Sequence, residues 1–354
     1  MKIAFVNDLF LEGRGADTVI YELARRLGKR HDVLVIATES DFPKENFKIF
    51  KIKTNKFLSG NTLKDSFSYL PSLIKFRKGV LKLHKKHNFD IINLHHSSLN
   101  PAFLNFPVPV IVTWHGTPPS ENKIRTFFNR IVLKSLKKNN LVITISNYMK
   151  KSLMESVSDL KIKVIGHGIR DGFEFSKEDG KYILFVGRLE KHKRIHELIK
   201  ISKNLNFPFV IAGSGPLEAP LKEYSEKIGA EKVIFLGRVS DKKLKELYKG
   251  CSFFVSASKW EGFGLIFIEA AACGKPSLGY RKGAIPEVIL NRKTGFVVED
   301  FIELRERTRD LIKDEELRRN IGKNAFIFSR GFNWDKSARE YEKLFAEVKN
   351  GVER

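Results

Sequence analysis

Long apolar runs are missing from this chain. None of its stretches reaches the roughly 18 residues that a helix needs to cross a bilayer, so a helical membrane span is excluded. Cysteine is nearly absent too. Cys251 and Cys273 are the only two, each among apolar or small residues. That argues against a disulfide framework and fits a reducing cytoplasm. The start, Met1-Lys2-Ile3-Ala4-Phe5-Val6, is patterned as a strand and lacks the layout of a signal peptide. A cytoplasmic location is therefore expected. The chain has no Asp-x-Asp pair of the kind that grips a divalent metal, no short internal repeat and no low-complexity segment. Acidic residues are absent from 122–154.

Positive charge is plentiful. Sixty-four Lys and Arg face 41 Asp and Glu, a net charge of +23 over 354 residues, and the excess is heavier in the front half. Such a field favours anionic partners: phosphorylated substrates, an acidic membrane surface or nucleic acid. The length suggests two domains, and a hydrophobic content of 42% is enough for packed cores.

Short β-branched runs alternate with amphipathic stretches. Front strands are expected at 3–6, 33–37, 47–52, 91–94, 108–113, 141–145 and 162–165, with helices near 16–29, 66–87, 122–138 and 147–156. The period restarts after residues 166–180, Gly166-His167-Gly168-Ile169-Arg170-Asp171-Gly172 and the polar stretch that follows, which read as a linker. Strands follow at 181–186, 209–212, 233–236, 253–256, 276–279 and 295–298, with helices between and after them. This alternation means βαβ units and parallel sheets. The expected fold is α/β: two doubly wound, Rossmann-like domains facing across a deep cleft, with ligands beyond the C-terminal strand ends. The domains are placed at 1–168 and 169–332. Residues 333–354 form a last helix expected to pack back on the first domain.

Several loops after strands have the makings of a site. Glu261-Gly262-Phe263-Gly264-Leu265-Ile266-Phe267-Ile268-Glu269 sets two carboxylates around a glycine turn and a helix start. Amides at such a start attract anions. By itself the stretch reads equally well as a buried helix flanked by two solvated glutamates. Gly187-Arg188-Leu189…Lys193 puts two cations on one loop, able to neutralise a leaving diphosphate without a metal. Gly15 lies in a glycine turn that opens a helix, which suits close approach of a phosphate or sugar. His115, at a strand end, is placed to face the cleft. Gly213 sits in another glycine turn, and the backbone at Arg238-Val239 suits pairing with a base edge. His84, His87, His95, His96, His192 and His196 are expected to be solvated.

Gly-Arg-Leu at 187–189 with Lys193, Gly213-Ser214-Gly215-Pro216, and Glu261 with Glu269 seven residues beyond it occur in an order that resembles the GT-B glycosyltransferases of family 4. Gly15, His115 and the Gly283-Ala284-Ile285-Pro286-Glu287 turn extend the resemblance over nearly the whole chain. It implies a retaining hexosyltransferase that takes a nucleotide-sugar donor, with UDP favoured, and a hydroxyl acceptor on a carbohydrate or a lipid-linked glycan. The first domain would serve the acceptor and the second the donor. No metal or other cofactor is implied. Arg188 and Lys193 would hold the diphosphate, with the amides of Gly264 and Leu265 opposite. Glu269 would accept the ribose hydroxyls. Glu261 and His115 would contact the transferred sugar, Gly15 would let its loop close over the diphosphate, and Gly213, Arg238, Val239, Gly262 and Phe263 would line the donor pocket.

Other readings are a nucleotide-sugar 2-epimerase on the same fold and a basic nucleic-acid-binding protein. The second has only Phe127, Phe128 and Arg130 in its favour, and they fit an amphipathic helix better, so no nucleic acid is expected. The basic 122–138 helix suits an anionic membrane surface and an ordinary half-buried helix equally. Residues 54–70 and 95–106 are candidate acceptor loops.

Overall fold

A computed structural model describes every residue except 44, 55–62, 96–98, 117–130, 139–140, 179 and 353–354, with side chains at 63–69 and 352 also outside the description. The chain divides into two compact units, Met1–Gly168 with Trp334–Arg354, and Ile169–Asn333.

The first unit holds β1 (Lys2–Val6), β2 (Leu9–Phe10), β3 (Asp32–Ala37), β4 (Glu39–Ser40), β5 (Lys48–Lys51), β6 (Ile91–Leu94), β7 (Val110–Trp114), β8 (Val142–Thr144) and β9 (Ile162–Val164). Seven of these make one parallel sheet in the order β5-β3-β1-β6-β7-β8-β9. Parallel sheets are covered on both faces, so their inner strands read as continuous apolar runs. Ile3, Ala4, Phe5 and Val6 of β1 are accordingly all fully buried. The β2–β4 pair forms a separate two-stranded ribbon, too short to register as a strand pattern in sequence. The Trp334–Val352 helix also belongs to this unit. Its Trp334, Tyr341 and Phe345 are buried there. Arg26 meets Asp335 at 2.8 Å, His31 meets Glu342 at 2.7 Å and Lys349 meets Asp90 at 3.0 Å.

The second unit holds β10 (Ile183–Val186), β11 (Phe209–Ala212), β12 (Val233–Gly237), β13 (Phe253–Ser256), β14 (Ser277–Tyr280) and β15 (Gly295–Val298). They form a parallel sheet in the order β12-β11-β10-β13-β14-β15. Chain order reverses at β10, between β11 and β13. That switch point is where loops splay apart and ligands of such sheets bind. The loops after β10 and β13 therefore emerge side by side.

Of the expected 122–138 helix, residues 122–130, with Phe127, Phe128 and Arg130, lie outside the described residues, and 131–136 are helical. His96 and residues 55–62 of the 54–70 loop also lie outside them. No helix among the described residues is long and apolar enough to cross a membrane.

Candidate active site

After β10 the chain turns through Gly187–Glu190 into a single 3₁₀ turn, Lys191–Lys193. Leu189 is fully buried and anchors the loop. Its N–H donates to the Ser214 carbonyl at 3.0 Å, and its own carbonyl accepts from the Leu217 N–H at 3.1 Å. The loop is thus tied to the Gly213 turn, where the Gly213 N–H donates to the Gly237 carbonyl at 2.7 Å. Arg188 points outward, 62% exposed, with Nε 3.0 Å from Glu190 Oε1. Lys193 turns inward, and its side chain is 13% exposed. Arg238 is exposed, and Val239 is half-buried.

The Glu261–Glu269 stretch follows β13. Gly264 takes φ +99°, a left-handed cap that a side chain would resist, and the Leu265–Ala272 helix starts behind it. Glu261 is buried before the cap. Its carbonyl accepts the Ala284 N–H at 2.9 Å, so the Gly283–Glu287 turn braces it from behind. Its Oε1 lies 2.5 Å from Lys193 Nζ. A lysine and a glutamate from the neighbouring loops of the switch point, 68 positions apart in sequence, share one buried ion pair.

Glu269 lies on that helix with its side chain 5% exposed. Arg170 reaches it from the start of the unit, placing Nε 3.0 Å and Nη2 2.9 Å from Oε1. Nη1 of the same guanidinium donates to Asp241 Oδ1 at 2.5 Å, and Lys245 takes Oδ2 of Asp241 at 2.5 Å. Burial opposes the charge on Arg170, but Glu269 and Asp241 outweigh it and raise its pKa above the ordinary arginine range.

In the first unit, Gly15 opens the Gly15–Leu27 helix. A side chain built there would meet no described atom within 4 Å. The loop before it is held from inside by Asp17, which has no exposed surface. Its Oδ1 accepts Asn7 Nδ2 at 2.7 Å and its Oδ2 the Leu11 N–H at 2.9 Å. Burial pushes the Asp17 carboxyl up to about 7, against the pull of Arg14. His115 follows β7 and is half-buried. Its Nε2 lies 2.9 Å from His95 Nδ1, and His95 Nε2 lies 2.7 Å from Asn93 Oδ1. Asn93 Nδ2 donates to the Ile111 carbonyl and to Thr113 Oγ1, which leaves Oδ1 as the acceptor from His95. Burial, then the neighbouring His115, pushes the His95 pKa well below its usual value. Neutral His95 with a proton on Nε2 must accept at Nδ1. His115 therefore carries its proton on Nε2. His167 stacks on Trp334 with ring centroids 5.4 Å apart, and burial lowers its pKa too.

The sequence profile described as "Glycosyl transferases group 1" matches residues 170–327, and that of "Glycosyltransferase Family 4" matches 13–172. Together they run almost end to end. The chain belongs to the group 1, family 4 glycosyltransferases. The transferase is 26% identical to N-acetyl-alpha-D-glucosaminyl L-malate synthase of Bacillus anthracis, covering 95% of this chain and 96% of that one. It is 27% identical to a Campylobacter jejuni alpha-1,4-N-acetyl-D-galactosaminyltransferase, named for an undecaprenol-diphosphate-linked glycan, with 99% of each chain covered. The solved structure of Anabaena HepE in complex with UDP-glucose superposes with a TM-score of 0.80 at 19% identity, over 98% of this chain and 100% of that one. The fold is GT-B.

The transferase brings Lys193 and Glu261 together and sets Arg188 on the same loop as Lys193, but directs Arg188 to Glu190. Glu269 is engaged by Arg170, which the sequence reading placed in the linker without a role. His95 corrects that reading outright. It is 3% exposed and bonded to His115, not solvated. Its signal was faint, because a histidine ending a strand looks the same whether it caps the strand or turns inward. Among the described residues, no three His, Cys, Asp or Glu side chains gather as a metal site.

Proposed function

We propose that the transferase moves a hexose-type sugar from a UDP-sugar to a hydroxyl of a carbohydrate or lipid-linked acceptor, with retention and without a metal ion. One observation carries this reading: Lys193 and Glu261 meet at 2.5 Å at the switch point of the second unit. The pair joins the Gly-Arg-Leu…Lys loop to the Glu-x7-Glu stretch, and it is poised to open onto a ligand that bears both a diphosphate and a sugar. Lys193 and Arg188 neutralise the diphosphate as it leaves. Glu261 accepts hydroxyls of the moving sugar and favours an oxocarbenium-like state. Glu269 accepts from the ribose, His115 serves the sugar, and the bare Gly15 admits the diphosphate to its loop. Gly213, Arg238 and Val239 line the nucleotide, and the Gly262–Leu265 backbone borders the phosphates. The departing phosphate oxygen takes the acceptor proton on the same face, so no residue is assigned as a covalent nucleophile. UDP is favoured because HepE was solved with UDP-glucose on this fold, and a lipid-linked acceptor accords with the name of the Campylobacter relative. We place the protein in the cytoplasm, where its buried free thiols Cys251 and Cys273 stay reduced. Contact with an anionic membrane through residues 122–138 is part of the same proposal.

The test is a UDP-release assay across a panel of UDP-sugars and acceptors, repeated with EDTA. Lys193→Ala is expected to lower kcat by about 10²-fold or more, the scale of one preorganised donor at a developing charge. Full turnover in this variant would remove Lys193 from the diphosphate. A strict metal requirement would overturn the two-cation mechanism. Conversion of donor without any acceptor would favour the epimerase.

A further inference from the structure

Glu269 has a partner that the donor-site reading does not use. Arg170 places two N–H groups, Nε at 3.0 Å and Nη2 at 2.9 Å, on the same oxygen, Oε1. A carboxylate offers about four acceptor positions. Spending both arginine contacts on one oxygen leaves the other whole. Among the described residues nothing bonds Oε2. The arginine is itself immobilised. Asp241, the first residue of its helix, holds Nη1 at 2.5 Å, and Lys245 anchors Asp241 from the other oxygen. The ring of Phe173 lies under the guanidinium, 5.1 Å from its carbon. Arginine suits this task because its planar fork fixes direction as well as charge, which a lysine ammonium does not. Because Asp241 shares the positive charge, Glu269 keeps its strength as an acceptor.

We propose that Arg170 is a positioning residue for the nucleotide. It clamps Oε1 of Glu269 and so presents Oε2 as a fixed acceptor for the ribose hydroxyls, making the enzyme select a ribonucleotide. This rests on the reading of Glu269 as the ribose contact. Without Arg170 the buried carboxylate loses its counter-charge and its single orientation, and selection for the diol is lost with them. The phosphate and base contacts are untouched.

The experiment is calorimetric titration of UDP and of 2′,3′-dideoxy-UDP into the wild type, Arg170→Ala, Arg170→Lys, Glu269→Gln and the Arg170→Ala/Glu269→Gln double variant. The wild type is expected to prefer UDP by about tenfold or more, the scale of charge-assisted hydrogen bonds. Arg170→Ala should lose most of that preference while binding dideoxy-UDP as the wild type does. Arg170→Lys should recover part of it, and the double variant should be no worse than Glu269→Gln alone. An Arg170→Ala protein that keeps the preference overturns the proposal. So does one that weakens both nucleotides equally, which would mean that Arg170 acts on the phosphates or on folding. If Glu269→Gln keeps the preference, the ribose reading of Glu269 itself falls, a result separable from failure at Arg170. Should Arg170→Ala not fold, Arg170→Lys against the two nucleotides decides the matter.

Discussion

Asp17 shows how a single side chain sets conditions for a loop. It has no exposed surface and closes the Asn7–Leu11 segment with two hydrogen bonds. Burial raises its carboxyl from 3.8 to about 7. An acid whose folded pKa is raised is favoured in its protonated form by folding. The unfolded chain releases its proton near pH 4 while the folded chain holds it until about pH 7. Stability from this group is therefore greatest below pH 4 and falls as pH rises to about 7, by at most roughly 4 kcal/mol. Chemical denaturation between pH 4.5 and 7.5 is expected to show a shallower decline in Asp17→Asn than in the wild type. Parallel slopes would place the charge elsewhere. At the same scale, Lys193 and Glu261 neutralise one another across 2.5 Å. A buried pair of this kind is costly to break from one side, because the remaining charge is left without its partner. Under the proposed function, a diphosphate would take the glutamate's place as partner of the lysine, and sugar hydroxyls would take the lysine's place at the glutamate.

The turn that follows β14 governs where Glu261 stands. Gly283 has φ +62°, and a Cβ added there would come within 2.5 Å of the Glu261 carbonyl oxygen and 2.8 Å of its nitrogen. Backbone atoms cannot give way as a flexible side chain does. Gly283→Ala must displace the Glu261 segment or distort the turn, at a cost of about 1–3 kcal/mol for the conformation alone. We expect a lowered melting temperature together with a drop in kcat/KM of at least about tenfold, since a displacement near 1 Å costs about 10² in rate. Wild-type kinetics in a correctly folded Gly283→Ala protein would show that the turn does not place Glu261. The His95–His115 bond carries a similar lesson. β6 and β7 are neighbours in the sheet, so residues just past their ends come together although 20 positions separate them in sequence.

At the scale of the molecule, the chain leaves its first unit after Gly168 and returns at Trp334. The returning helix completes that unit. Trp334, Tyr341 and Phe345 are each at most 2% exposed, and burial of one large aromatic contributes several kcal/mol. Three such residues together are comparable with the usual margin of a domain, about 5–15 kcal/mol. A chain ending at Asn333 is expected to leave residues 1–168 unfolded. Limited proteolysis followed by mass spectrometry would detect this as rapid cleavage within those residues. Protection equal to the full chain would show the helix to be dispensable.

Much of this architecture is local chemistry written plainly along the chain. Apolar runs such as Ile3–Val6 and Phe253–Ser256 are strands because both faces of a parallel sheet are covered. The Leu265–Ala272 helix begins where Gly264 permits a left-handed cap. The Gly-Arg-Leu…Lys loop and the two glutamates are legible in sequence through their resemblance to a known family, to which the family models assign the chain. What spacing cannot express is which charge meets which. Arg188 and Lys193 are equivalent cations in sequence, yet the buried Leu189 anchor and the 3₁₀ turn send one outward to Glu190 and the other inward to Glu261. Arg170 is one of 64 basic residues until the fold brings it to Glu269 and Asp241. His95 looks solvated until β6 and β7 align. Those pairings depend on contacts between residues tens of positions apart. They are settled by strand order and burial, where an unpaired charge is too costly to keep, and so only the tertiary structure decided them.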